Sequence, residues 1–208
     1  MEQLKKIGVI PVNKDVLYSL CNDLKQPKDK ISDLERNGFI IRIKRNLYVV
    51  SQKVHNQEIS RELTANHLYG PSYISLESAL SYYGLIPERV YSVRSICTKM
   101  YKTYNTPLGH FEYIKMPEKY FQIGIRQEII ENQYAFLIAT PTKALCDMMV
   151  ATPNLRLQSV KAMRNYLTKD LRIDFDTLNT LDEDIVNQCI EAGKKRMELK
   201  LLLKFIKN

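Results

Sequence analysis

The sequence predicts an α+β fold: a small N-terminal unit of helices and a strand hairpin, then a larger mixed α/β domain with a helical C-terminal tail. Three observations carry this. Apolar residues recur at three- and four-residue spacing through the first 35 positions and then give way to two short β-branched runs. Several strand-like runs alternate with capped helix starts up to about residue 150. The last fifty or so residues read as helical, with lysine-rich turns at the very end. A chain of 208 residues, 45% hydrophobic and 26% charged, is ordinary globular material and long enough to bury a core without disulfides or metals.

Leu4, Ile7 and Val9 mark a short helix or an apolar lead-in. Asn13 is placed to cap a helix whose inward face is Val16, Leu17, Leu20, Cys21 and Leu24. Gln26-Pro27 breaks that pattern, and Pro27 suits the first turn of a second helix. There Ile31 and Leu34 point inward, while Lys28, Asp29, Ser32, Asp33 and Arg36 point away; Asn37-Gly38 is the stop. Phe39 to Ile43 and Leu47 to Val50 then read as strands joined by Lys44-Arg45-Asn46, with Asn46 able to take the positive φ of a tight turn. Helix, turn, helix and basic-tipped hairpin is the order of a winged helix-turn-helix, so residues 1–54 are expected to form a DNA-binding domain and residues 55–208 an α+β regulatory domain.

Charge points the same way. The formal net charge is +8, and residues 25–53 alone carry Lys25, Lys28, Lys30, Arg36, Arg42, Lys44, Arg45 and Lys53 against Asp29, Asp33 and Glu35, a net of +5. A cationic surface recruits polyanions. Lys28, Lys30, Ser32 and Arg36 are the candidates for groove contacts, where base edges differ in their donors and acceptors. Arg42, Lys44, Arg45 and Asn46 are the candidates for phosphate or minor-groove contacts from the hairpin. Asp29 and Asp33 repel phosphate and favour the other use of such a module, as a protein-binding unit.

Further along, a helix is predicted near Gln57 to Tyr69, and another is capped by Ser75 with Leu76, Ala79, Leu80 and Tyr83 inward and Gly84 as its stop. Strands are predicted at Val90 to Thr98, Phe111 to Lys115, Phe121 to Arg126 and Gln133 to Ala139. Thr140 caps a helix with Pro141 in its first turn and Ala144, Leu145, Met148 and Met149 on the packing side. Helices near Leu155 to Lys169 and Asp182 to Ile206 complete the chain. Between Glu88 and Arg126, seven basic and three acidic residues give a net of +4 with tyrosines interleaved. Arg89, Arg94, Lys99 and Lys102 there are candidates for an extended basic surface that meets DNA, RNA or a protein partner. Ser78 and Asp147 are possible exposed functional groups.

Cys21, Cys97, Cys146 and Cys189 are far apart, as are His55, His67 and His110; none has metal-ligand spacing, and buried reduced thiols are the expectation. Neither a metal nor a cofactor is expected. Met1 to Lys6 lacks the apolar stretch of a secretory signal, and no run approaches the ~20 apolar residues of a membrane span. A cytoplasmic location without membrane contact is therefore expected. An enzyme would need grouped catalytic residues. The nearest are Glu198-Leu199-Lys200 and Asp174-Phe175-Asp176, which suit a metal-dependent nuclease only if they converge, and a solvated helix face and a turn are their commoner uses. The expectation is a protein that is not an enzyme.

Three stretches resemble one family, the AbiE-type antitoxins of bacterial type IV toxin–antitoxin and phage abortive-infection systems. They are Gly70 to Glu88 (GPSYISLESALSYYGLIPE), Ala139 to Asp147 (ATPTKALCD) and the hairpin from Gly38-Phe39-Ile40 through Arg45-Asn46-Leu47-Tyr48-Val49. Where such proteins carry Arg-Gly at the hairpin tip, this chain has Arg45-Asn46. The resemblance spans roughly residues 14–150; the last sixty residues match only as a helical tail. It implies a transcriptional autorepressor that binds inverted repeats in its own promoter as double-stranded DNA, and an antitoxin that counters a nucleotidyltransferase-type toxin, in that scheme without a stable toxin–antitoxin complex. Two alternatives stay open: an adaptor that binds the toxin directly, and a nucleic-acid-processing enzyme targeted by the helix-turn-helix.

Overall fold

The computed structural model describes residues 2–21, 26–174, 178 and 180–207. Leu24, Lys25, Phe175 and Asp176, singled out above, lie outside the described residues. The described residues form an α+β fold with two sheets.

The N-terminal elements are α1 (Glu2–Ile7), β1 (Val12–Asn13), α2 (Lys14–Ser19), α3 (Pro27–Arg36), β2 (Ile40–Lys44), β3 (Leu47–Val50) and α4 (Gln52–His55). Pro27 opens α3, where its missing N–H removes no helical bond. Asn13 precedes α2 as expected but makes no side-chain cap; it is drawn into the small sheet opposite Leu47. That sheet is antiparallel in the order β1-β3-β2. Its hairpin register shifts between Arg42 and Lys44, so Lys44 faces Leu47 and the turn is Arg45-Asn46, with Asn46 at φ 64°.

Two cores meet at this sheet. Leu4, Leu17, Ile31, Leu34, Ile40, Tyr48, Val50 and Val54 form the smaller one. Side chains alternate across a strand, and on β3 both sets are buried: Tyr48 and Val50 enter the small core, whereas Leu47 and Val49, with Ile43 and Val9, enter the large one. Each such side chain adds about 1.5–3 kcal/mol when fully buried. The hairpin is thus fixed along its length against the body of the molecule, and its tip at Arg45 and Asn46 is left to solvent.

The larger part runs α5 (Arg61–Leu68), β4 (Ser72–Ile74), α6 (Leu76–Tyr82), β5 (Val93–Cys97), β6 (Lys102–Thr106), β7 (Gly109–Lys115), α7 (Glu118–Phe121), β8 (Ile125–Ile130), β9 (Tyr134–Ala139), α8 (Pro141–Ala151), α9 (Val160–Asn165) continued by a π turn over Tyr166–Asp170, α10 (Glu183–Ala192) and α11 (Arg196–Ile206). Its sheet has the order β6-β7-β5-β4-β9-β8. The β5–β7 and β4–β9 pairs are parallel and the others antiparallel. The strand expected over Phe121 to Arg126 is displaced: Phe121 closes α7, and β8 begins at Ile125, after Gly124 has turned the chain at φ 58°. The single helix expected over Asp182 to Ile206 is two helices, because Lys195 adopts φ 56° after Gly193. The four cysteines are buried thiols. Among the described residues, no helix is long and apolar enough to cross a membrane.

The large core holds a buried polar knot. Lys143 and Asp147, one turn apart on α8, are both fully buried. Lys143 Nζ donates to Asp147 Oδ1 at 2.5 Å and to the Tyr73 hydroxyl at 2.9 Å. Asp147 Oδ2 accepts from Ser75 Oγ at 2.6 Å and from the Tyr73 hydroxyl at 3.0 Å. The ammonium also sits 3.6 Å from the centroid of the Tyr120 ring. Burial, and then the Asp147 carboxylate, push the Tyr73 phenol well above its usual range. Asp147 is therefore no exposed functional group. Ser75, expected to cap α6 with its side chain, makes no such cap; its hydroxyl serves Asp147, and the next residue, Leu76, is held at φ 55°, a conformation costing about 1–3 kcal/mol that surrounding contacts must hold in place. Thr140 does cap α8, accepting from Lys143 N at 3.3 Å.

Candidate nucleic-acid interface

Helix α3 packs through Ile31 and Leu34. At 3.6 residues per turn, the side opposite those two carries Asp29, Ser32, Asp33 and Arg36. Lys28 and Lys30 are exposed, but a spacing of two puts them on opposite flanks, about 160° apart. Ser32 Oγ donates back to Lys28 O at 3.1 Å. Arg36 pairs with Asp33 at 3.2 Å, both well exposed, so the outward face is close to charge-balanced.

The hairpin candidates divide. Arg45 and Asn46 are exposed at the tip, and Asn46 O accepts from Lys14 N at 3.2 Å, which fixes the start of α2 beside the turn. Arg42 lies on the strand, 3.4 Å from Glu35 of α3. Lys44 departs from the expected phosphate contact. Its Nζ donates to Leu68 O at the end of α5, and burial, together with Lys99, lowers its pKa from the ordinary lysine range. A carbonyl at a helix C-terminus is a natural cation partner, and no local pattern in the sequence marks α5 as ending under the hairpin.

Of the four residues expected to extend the basic surface, Arg94 is corrected. It is half-buried and holds Glu77 at 2.5 Å and Glu112 at 2.7 Å, tying α6 to β5 and β7, so its charge is spent inside the fold. The other three are exposed. Arg89 lies over the Tyr91 ring and Lys102 over the Tyr104 ring. Lys99 donates to Gly70 O at 2.5 Å and lies over the Tyr69 ring. Leu68 O and Gly70 O therefore gather Lys44 and Lys99, from distant segments, at one end of α5. Met100 and Tyr101 next to Lys99 are exposed at 69% and 58%, and Lys115 Nζ reaches Met100 Sδ at 3.8 Å. These contacts link Lys44, at the base of the hairpin turn, to Lys99 and the segment that precedes β6.

Sequence reasoning missed Lys14 and the knot around Lys143, and it counted Lys115 in the basic stretch without singling it out. Lys14 carried no pattern; the knot had one, opposite charges four apart on an otherwise apolar helix. Ser78, the other possible functional group, is part-buried: its hydroxyl donates to Ser92 O and accepts from Arg94 N. Glu198 and Lys200 lie on α11, where a spacing of two turns them away from one another. Comparison with models of known families and with curated proteins returned no match.

Proposed function

We propose that this chain is a DNA-binding transcriptional autorepressor and the antitoxin of a type IV, abortive-infection toxin–antitoxin operon, working in the cytoplasm against a nucleotidyltransferase-type toxin and carrying no catalytic activity of its own. On this reading residues 1–54 are a winged helix-turn-helix: α2 and α3 are the helix pair and β2–β3 the wing. The observation that carries it is the exposed Arg45-Asn46 turn, which follows a strand packed on the larger core, lies beside Lys14, and is anchored by Lys44 to the end of α5, where Lys99 also sits. Phosphate contacts of this kind fix register on a duplex, and a pre-ordered tip loses little entropy on binding. The resemblance of Gly70 to Glu88 and Ala139 to Asp147 to AbiE-type antitoxins supports the assignment to that operon type. Inverted repeats in its own promoter are the proposed operator.

A gel-shift titration against the DNA upstream of its own gene tests this, with a shuffled duplex of equal length as control. The upstream fragment is expected to bind at least tenfold more tightly. Equal affinity for both duplexes would remove the repressor reading.

Asp29 and Asp33 on the outer side of α3 favour a second reading, a protein adaptor that grips the toxin directly. Stable co-purification with the neighbouring gene product, without DNA binding, is its signature.

A further inference from the structure

Among the described residues, strand β8 is an edge of the six-stranded sheet, with β9 as its only strand neighbour. Which of its backbone groups face outward follows from the register. Thr140 N donates to Gly124 O at 2.8 Å, one step beyond the Ile125–Ala139 pair of the β8–β9 ladder. Antiparallel ladders exchange hydrogen bonds at every second residue. Residues 124, 126, 128 and 130 therefore turn their N–H and C=O groups towards β9, and Gln133 N donating to Ile130 O at 2.9 Å agrees with this phase. Ile125, Gln127 and Ile129 turn theirs to the open side.

We infer that β8 pairs with β8 of a second copy of this chain, antiparallel, about a two-fold axis through Gln127. In that register Gln127 faces Gln127, and Ile125 faces Ile129, with every outward N–H meeting an outward C=O in about six main-chain bonds. Arg126 faces Glu128 of the second copy, and Glu128 faces its Arg126. These fall in the non-hydrogen-bonded pairs, where side chains approach most closely. Within one copy Arg126 and Glu128 already form an ion pair, with Arg126 lying over the Tyr83 ring. The dimer turns that pair into an alternating square of four charges.

The opposite face of the strand supplies the apolar contact. Ile129 is 60% exposed, and Leu137, across from Gln127 on β9, is 40% exposed. Pairing sets Ile129 against Ile125 of the second copy. Isolated charges on an edge strand block self-association, but charges that alternate in sign about a two-fold are self-complementary. The other edge, β6, carries Lys102 and no carboxylate over Lys102–Thr106, so it has no such complement. The two-fold stands independently of what the hairpin binds, and it also suits a palindromic DNA site.

Sedimentation equilibrium of the full chain tests the inference. An interface this small places Kd at roughly tens to hundreds of micromolar, and a monomer–dimer equilibrium is expected in that range. Gln127→Pro removes only an outward N–H, a change edge strands tolerate, and should leave a monomer whose melting temperature is close to that of the parent. Arg126→Glu should raise Kd about tenfold or more, and Arg126→Glu with Glu128→Arg should restore it, because the double swap keeps the alternation. A parent chain that stays monomeric up to about 1 mM, or a dimer that survives in folded Gln127→Pro, overturns the inference.

Discussion

Removing one member of the buried knot measures what holds the larger core together. Asp147→Ala deletes the acceptor of three bonds, from Lys143 Nζ, Ser75 Oγ and the Tyr73 hydroxyl. It leaves the Lys143 ammonium without a counter-ion at a site with no solvent exposure. Breaking one side of a buried ion pair costs about 3–5 kcal/mol. Loss of the Ser75 anchor also weakens the contacts that hold Leu76 at positive φ. For a domain of this size each kcal/mol lowers Tm by about 2–4 °C, so a fall of roughly 6–20 °C is expected. Thermal and urea melts followed by circular dichroism give the number. The double variant Lys143→Met with Asp147→Leu separates charge from packing: it should be more stable than Asp147→Ala, since apolar replacement of a whole buried pair is often neutral or better. If Asp147→Ala melts within about 1 °C of the parent, or if the double variant is the worse of the two, the knot is not the strained, mutually dependent unit described.

Arg94→Ala strands Glu77 and Glu112 and should lower stability by about 1–3 kcal/mol, while the salt dependence of DNA binding stays unchanged; a flattened salt dependence would put Arg94 back at the interface. Tyr83 is pushed up to about 12 by burial, and its hydroxyl donates to Ala139 O at 2.9 Å. The unfolded phenol ionises near pH 10, so the folded state holds this proton more tightly, and the associated stability is present below pH 10 and lost as pH rises towards 12. Tyr83→Phe should make the alkaline limb of the stability curve shallower in that window, and an unchanged limb assigns the loss to other groups. Lys44→Met should leave DNA affinity nearly unaltered while loosening the hairpin from α5, read as faster hydrogen exchange at Leu47 to Val50.

Much of this architecture was written in the sequence, and the misses share a cause. Pro27, Gly38 and Thr140-Pro141 are local signals, and each marks a helix boundary as expected, because caps and stops act within a few residues. The four-residue run Leu47-Tyr48-Val49-Val50 has no polar alternation, the mark of a strand buried on both faces; that mark was legible and implied a hairpin fixed against a second core. In the sequence, Lys44, Lys99 and Arg94 all read as surface charge. Their fates depend on Leu68 O, Gly70 O, Glu77 and Glu112, partners whose proximity only the tertiary arrangement creates. Helical geometry also separates Lys28 from Lys30 and leaves two carboxylates on the outer side of α3, so the cationic density sits at the hairpin tip and the sheet edge more than on the helix.

The central claim is that the Arg45-Asn46 tip meets phosphate. Fluorescence anisotropy with the upstream duplex, titrated at several salt concentrations for the parent and for Arg45→Ala, tests it most directly. Affinity should fall steeply with salt, and Arg45→Ala should bind every sequence more weakly with a log–log slope reduced by about one. Identical slopes for the two proteins, or an affinity indifferent to salt, would contradict the claim.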